Sequence, residues 1–351
     1  VKEQKRIRDY GVIIGRMIPG AKNAITDVRG VKVGHYTLKN GAIQTGVTAI
    51  LPHNGNLFQE KVMAAVHVIN GFGKSIGTVQ IEELGTIETP IILTNTLSVG
   101  TVGDALVEFM LEHNEDIGIT TGTVNPVVCE CNDGYLNDIR GRHVKKEHVL
   151  SAIQRAEEEF QEGDVGAGTG MSCYGLKGGI GTASRIISLG KKDYTLGVLV
   201  LSNFGRKEDL MIDGVKADRM IKEVQREADN LEKGSVIIIV ATDIPLTERQ
   251  LKRILKRTSV ALSRTGSYVG NGSGDIALGF TTAHRIKHYE KSPIVTVEML
   301  NENEIDEVFR AVAEATEEAI LNSMICAERT VGRAGHTRAS LKEYIHEIVN
   351  G

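Results

Sequence analysis

The chain has 351 residues, 41% of them apolar, which is enough for one large or two ordinary domains around a substantial core. Lysine plus arginine number 41 against 45 acids, a net charge of −4, so no basic field exists to hold nucleic acid or an anionic membrane, and neither is expected as a partner. No stretch approaches the roughly 20 apolar residues that span a bilayer, residues 1–9 lack the apolar core of a signal peptide, and the cysteines (Cys129, Cys131, Cys173, Cys326) are too few and scattered for a disulfide scaffold; a reduced, cytoplasmic protein is expected.

Apolar runs between glycine turns at 31–33, 47–51, 64–69 and 90–93 predict strands. Residues 99–113 predict a helix with Val102, Leu106, Phe109 and Met110 on one side. Residues 146–160 predict a charged helix whose stripe includes Val149, Ile153 and Ala156. A glycine-dense block at 163–181 leads into a strand at 196–201. Residues 206–233 are charged and poor in strand formers, with helical spacing at Met220, Ile221 and Val224, which predicts a long, partly helical surface segment. Directly after Gly234-Ser235, the six apolar residues 236–241 suit a strand buried on both faces.

Thr247 with Gln250 makes a capping box for a helix through Leu262, its period kept by Leu251, Ile254, Leu255 and Thr258. Residues 276–280 and 294–297 predict further strands. Residues 305–324 form the longest amphipathic pattern, with Val308, Phe309, Val312, Ile320 and Met324 facing inward. Helices and strands mix from end to end without repeat or linker, so an α/β fold in one structural unit, 1–351, is expected.

Several local motifs carry little. Gly71-Phe72-Gly73-Lys74-Ser75 looks like the end of a phosphate loop, but Val68 stands where that loop needs glycine. His284 and His288 are four apart on a strand end and loop, with no zincin glutamate. Cys129 and Cys131 would share one face of a strand, and no partner pair completes a zinc site, so buried cysteines and no metal are expected.

Two serines carry more. Ser273 lies in Gly270-Asn271-Gly272-Ser273-Gly274-Asp275, where Asp275 could orient its hydroxyl; on local grounds alone these residues favour a plain turn between a helix and a strand. No nucleophile elbow of the Gly-x-Ser-x-Gly type is placed between a strand and a helix. Gly234-Ser235 at a strand entrance is usually unremarkable. Yet its chemistry permits an N-to-O acyl shift, because glycine does not hinder its own carbonyl and the adjacent hydroxyl can attack it. Hydrolysis of the resulting ester leaves Ser235 with a free α-amine, which can then help to deprotonate its own hydroxyl.

Longer stretches identify a relationship. They are Asn23-Ala24-Ile25-Thr26-Asp27-Val28, Gly46-Val47-Thr48-Ala49-Ile50, the segments 83–90 and 132–139, Gly178-Gly179-Ile180-Gly181-Thr182, Ser202-Asn203-Phe204-Gly205, Gly234-Ser235 with the strand after it, Ala241-Thr242-Asp243, and 264–275. In order, over nearly the whole chain, these resemble the β-peptidyl aminopeptidase and L-aminopeptidase/D-Ala-esterase/amidase family. The resemblance implies a four-layer α/β/β/α sandwich, two central sheets covered by helices. It implies self-cleavage before Ser235 into 1–234 and 235–351, and release of N-terminal residues from short peptides, amides or esters, β- or D-amino acids among them. A homo-oligomer such as a tetramer and the absence of a cofactor follow from the same resemblance.

By that resemblance Ser235 is the nucleophile and Asn203 the side-chain donor of an oxyanion hole. Ser273 and Asp275 match the pair that supports the nucleophile, although some members carry glutamate where this chain has Asp275. Tyr135 matches an active-site tyrosine, and Glu130 or Asp133 is the acid for the substrate's ammonium. An acyltransferase of the ornithine acetyltransferase type shares the architecture but is expected to cut before threonine, where this chain has Ser235. An inactive homologue acting as a binding protein is the other alternative, and the intact set of Ser235, Asn203, Ser273 and Asp275 argues against it.

Overall fold

Residues 236–241 occupy the middle of the larger of the two main sheets in the computed structural model, which describes residues 4–221 and 233–350. In chain order the first elements are β1 (Lys32–Asn40), β2 (Ile43–Leu51), β3 (Glu60–Gly71), α1 (Thr78–Leu84), β4 (Thr86–Ile87), β5 (Ile91–Asn95), α2 (Val99–His113), β6 (Val127–Cys131) and α3 (Lys146–Gln154). Next come β7 (Ser172–Cys173), β8 (Leu176–Lys177), β9 (Gly179–Leu189), β10 (Lys192–Asn203), β11 (Met211–Ile212), β12 (Val215–Lys216) and β13 (Lys233–Thr242). The last are α4 (Glu248–Leu255), α5 (Thr258–Arg264), β14 (Gly272–Lys287), α6 (Ile305–Ile325), β15 (Thr330–Val331), β16 (Thr337–Arg338) and α7 (Ile345–Asn350).

One sheet has the order β1-β2-β5-β6 and the other β4-β3-β14-β13-β10-β9. Strand β13 runs parallel to β14 and antiparallel to β10, so it is interior, and β-branched residues suit such a position. Its side chains alternate. Ile237, Ile239 and Ala241 meet Ile91, Leu93 and Cys129 of the smaller sheet, while Val236, Ile238 and Val240 join Leu251, Ile254, Leu262, Val312 and Met324 of the helices. Each fully buried side chain of this size contributes roughly 1.5–3 kcal/mol. Beyond the smaller sheet, Val47, Ala49, Ile92 and Val128 pack on Val102, Leu106 and Val149 of α2 and α3. The layers are therefore helix, sheet, sheet, helix, the sandwich expected from the sequence.

Four local expectations need correction. Helix α3 stops at Gln154 rather than Phe160, because Glu157 leaves it to exchange two backbone hydrogen bonds with Val33 at the sheet edge. The capping box at Thr247 and Gln250 is present, but the helix it opens ends at Leu255, where an i→i−3 bond from Arg257 to Ile254 tightens the turn before α5. Residues 294–297 are not a strand: Ile294, Val295 and Val297 are exposed and pair with nothing in either sheet. Of the helical surface segment expected over 206–233, residues 222–232, Val224 among them, lie outside the described residues. The part before it is a turn and the hairpin β11–β12, with Leu210, Ile212, Ala217 and Ile221 buried.

Candidate active site

Strand register brings the predicted residues together. Asn203, the last residue of β10, is paired with Ser235 on β13, and Gly234 and Ser235 are paired with Ser273 and Gly274 on β14. Ser235 is 4% exposed, at the base of a cavity of about 700 Å3, a size that suits a small ligand. A register shift between Asp275 and Ile276 leaves Ile69 of β3 unpaired, a bulge of the kind that re-aims side chains beside functional sites.

The amide of Asn203 is held in one orientation. Its Oδ1 accepts from the backbone N–H of Ser172 at 2.9 Å, so Nδ2 must face the other way. There Nδ2 donates to the Asn132 carbonyl at 3.0 Å and approaches Ser235 Oγ at 3.5 Å. The loop carrying Ser172 is itself tied down: Lys177 is fully buried, and its Nζ donates to the carbonyls of Gly168, Met171 and Gly178 at 2.7–3.0 Å. Burial pulls the pKa of Lys177 down to about 7, against the favourable field of Asp164.

Ser273 donates to Asp275 Oδ1 at 2.6 Å, both side chains being buried. At that distance the shorter arm of Asp275 reaches the Ser273 hydroxyl. Asn70, on β3 opposite Asp275, donates to the carbonyls of Gly270 and Asn271 and fixes the loop before Ser273.

Gly234 has φ +152, and a Cβ there would lie 2.3 Å from the Asn203 carbonyl oxygen and 2.8 Å from Phe204 Cα. Glycine is required at this position by the close approach of backbone.

Of the two acids, Glu130 lines the cavity and Asp133 does not. Glu130 Oε1 accepts from the Lys74 backbone N–H at 2.8 Å and Oε2 from the Thr96 hydroxyl. Asp133 is turned into the interior, fully buried, with Oδ1 accepting from Asn137 at 3.0 Å. Burial raises its pKa to about 7. The side chains of Thr45, Asn137 and Asn95 pull the other way, more weakly than burial.

Tyr135 is 39% exposed on the cavity wall, stacked on His336 with Arg338 3.8 Å over its ring centroid. Cys129 and Cys131 share the face between the sheets. The Cys131 thiol is pushed well up by burial and by Glu130, with the Ser235 hydroxyl pulling the other way, so it is not a competing thiolate. No group of three or more metal-ligating side chains occurs among the described residues, and no helix of them is long and apolar enough to cross a membrane.

Sequence reasoning missed Ser172, Asn70, Lys177, Arg333 and Arg338, none of which lies in a motif. Lys74, set aside with the false phosphate loop, lines the cavity with Phe72.

The peptidase family S58 model matches residues 23–338. Beta-peptidyl aminopeptidase BapA of Sphingosinicella microcystinivorans is 39% identical, covering 97% of this chain and 93% of that protein. The solved beta-aminopeptidase of a Burkholderia species superposes with a TM-score of 0.91 at 39% identity, covering 99% of this chain and 98% of that one. The L-aminopeptidase D-Ala-esterase/amidase from Ochrobactrum anthropi, described as a prototype for the serine aminopeptidases and a variant of the Ntn hydrolase fold, has a TM-score of 0.91 at 36% identity, with 98% of both chains covered. These relatives do not favour the acyltransferase alternative.

Proposed function

This chain belongs to peptidase family S58 and is a serine aminopeptidase, and we propose that Ser235 is its nucleophile, freed as an N-terminus by self-cleavage after Gly234. The observation that carries the reading is the amide of Asn203, locked by Ser172 so that its donor faces Ser235 Oγ. A donor fixed before reaction stabilises the oxyanion without having to reorganise.

In the first step Ser235 Oγ attacks the Gly234 carbonyl, its proton passes to the departing Ser235 nitrogen, and an ester replaces the peptide bond. Water hydrolyses that ester, leaving a carboxylate on Gly234 and a free α-amine on Ser235. In turnover the same Oγ attacks the first peptide carbonyl of a substrate. Its proton goes to the α-amine, or through the Ser273 hydroxyl, which passes its own proton to Asp275, and it returns by the same route to the leaving amine. Water then releases the acyl group and restores the serine. Glu130 takes the substrate's ammonium and Tyr135 forms the adjacent wall; Asp133 stays in the interior.

The substrates are short peptides, amides or esters, with β- or D-residues included, and no cofactor enters the chemistry. Four free, buried cysteines support a reducing, cytoplasmic setting. The exposed run Ile294, Val295, Val297 and Met299 is apolar surface available to a homo-oligomer.

Intact mass spectrometry under denaturing conditions tests the assignment. Chains 1–234 and 235–351 are expected from the wild type, and one uncleaved chain without peptidase activity from Ser235→Ala. Normal cleavage in that variant removes Ser235 from the role.

A further inference from the structure

Among the described residues, charge around the cavity is lopsided. Among the described residues that line it, Glu130 is the only carboxylate, whereas Lys74, Arg333 and Arg338 are cations. An aminopeptidase needs one anion for the substrate's ammonium and no cation for that purpose. Arg333 and Lys74 therefore lack a task in the mechanism above, and Arg338 adds positive charge beside Tyr135.

Their placement is ordered. Arg333 and Arg338 come from β15–β16 and its turn, which folds over the 132–137 loop. Arg333 donates through its backbone N–H to Leu136 at 2.7 Å and through Nε to the Gly134 carbonyl at 2.6 Å. This fixes the guanidinium plane and leaves both terminal nitrogens without a partner among the described residues. Arg338 donates through Nε to Ser172 Oγ at 3.1 Å and lies over Tyr135. Lys74 rests its ammonium 4.0 Å over the Phe72 ring.

A guanidinium held by one edge presents its other edge as a fork that matches a carboxylate. We propose that Arg333, with Arg338 beside it, binds the free C-terminal carboxylate of short peptide substrates, so that the enzyme selects free peptides over the corresponding amides. The proposal rests on the aminopeptidase reading of this cavity. It divides the cavity electrostatically, with the ammonium at Glu130 and the carboxylate at the arginines, the scissile carbonyl lying between them over Ser235. Arg333 is exposed, so solvent screens the contact, and a preference of about tenfold is the expected scale for one charge-assisted pair.

The test compares kcat/KM for a dipeptide and for the same dipeptide with a C-terminal carboxamide, following release of the first residue. The scissile bond is identical in the two, so their ratio isolates the carboxylate. Wild-type enzyme is expected to favour the acid about tenfold, mostly through KM, with the ratio shrinking as salt is raised. In Arg333→Gln the ratio is expected to fall towards one, with a thermal melt confirming the fold. A wild-type ratio at or below one, or an unchanged ratio in the variant, overturns the carboxylate site and leaves the Ser235 assignment standing. Failure of processed enzyme to turn over either substrate overturns the aminopeptidase reading, and the carboxylate site with it.

Discussion

Alanine at position 203 deletes three contacts at once: the acceptor for Ser172 N–H at 2.9 Å, the donor to the Asn132 carbonyl at 3.0 Å, and the donor 3.5 Å from Ser235 Oγ. The first two belong to the resting fold, and leaving their partners unpaired costs about 1–3 kcal/mol each in stability where they are shielded from water. The third tightens only as charge develops on the attacked carbonyl, and loss of such a donor costs about 2.7–4 kcal/mol of transition-state stabilisation. That corresponds to a fall in kcat of about 10² to 10³. Asn203→Asp keeps an acceptor for Ser172 but turns a carboxylate oxygen towards the Asn132 carbonyl and the developing oxyanion, so its kcat should fall at least as far as that of Asn203→Ala. Steady-state kinetics on a dipeptide should show kcat falling in both variants with KM within a few fold. Intact-mass time courses should show self-cleavage slowing, since the same donor lies beside the Ser235 Oγ that attacks the Gly234 carbonyl. Unchanged kcat in Asn203→Ala would refute the oxyanion assignment.

Gly234→Ala places a methyl group 2.3 Å from the Asn203 carbonyl oxygen; overpacking of about 1–3 kcal/mol and slowed self-cleavage are expected, and wild-type cleavage by mass would show that the close approach is not needed. Glu130→Gln keeps the side chain's shape and loses its charge, so KM for peptides with a free N-terminus should rise about tenfold; an unaltered KM takes Glu130 out of ammonium binding. Asp133 is held near pKa 7 by burial, against 3.8 when exposed, so between those values the folded chain keeps a proton that the unfolded chain has released. The stability this group contributes is full below pH 3.8 and is lost as pH rises to about 7. Urea midpoints at pH 5 and pH 8 should therefore show Asp133→Asn gaining on the wild type at the higher pH, and a constant difference would mean the carboxyl is not buried as described.

What the sequence determined by itself was whatever rests on local periodicity and on stretches of chain long enough to identify. The twice-buried strand at 236–241, the span of α2, the α6 helix and the Thr247 cap follow from apolar runs, side-chain spacing and hydrogen bonding within a few residues. The sandwich and the list of site residues came from resemblance rather than from spacing, since Asn203, Ser235 and Ser273 are neighbours only through strand pairing. Residues 294–297 have the composition of a strand, but a strand also needs a sheet edge to pair with, and β-propensity does not supply one. Helix α3 ended early for the complementary reason, an available edge at Val33. Glu130 and Asp133 could not be told apart along the chain; the end of β6 turns one carboxylate into the cavity and leaves the other in the interior. Arg333 and Arg338 reach that cavity from about 200 residues beyond Tyr135, and only the packing of their hairpin over the 132–137 loop decided that the site would carry positive charge.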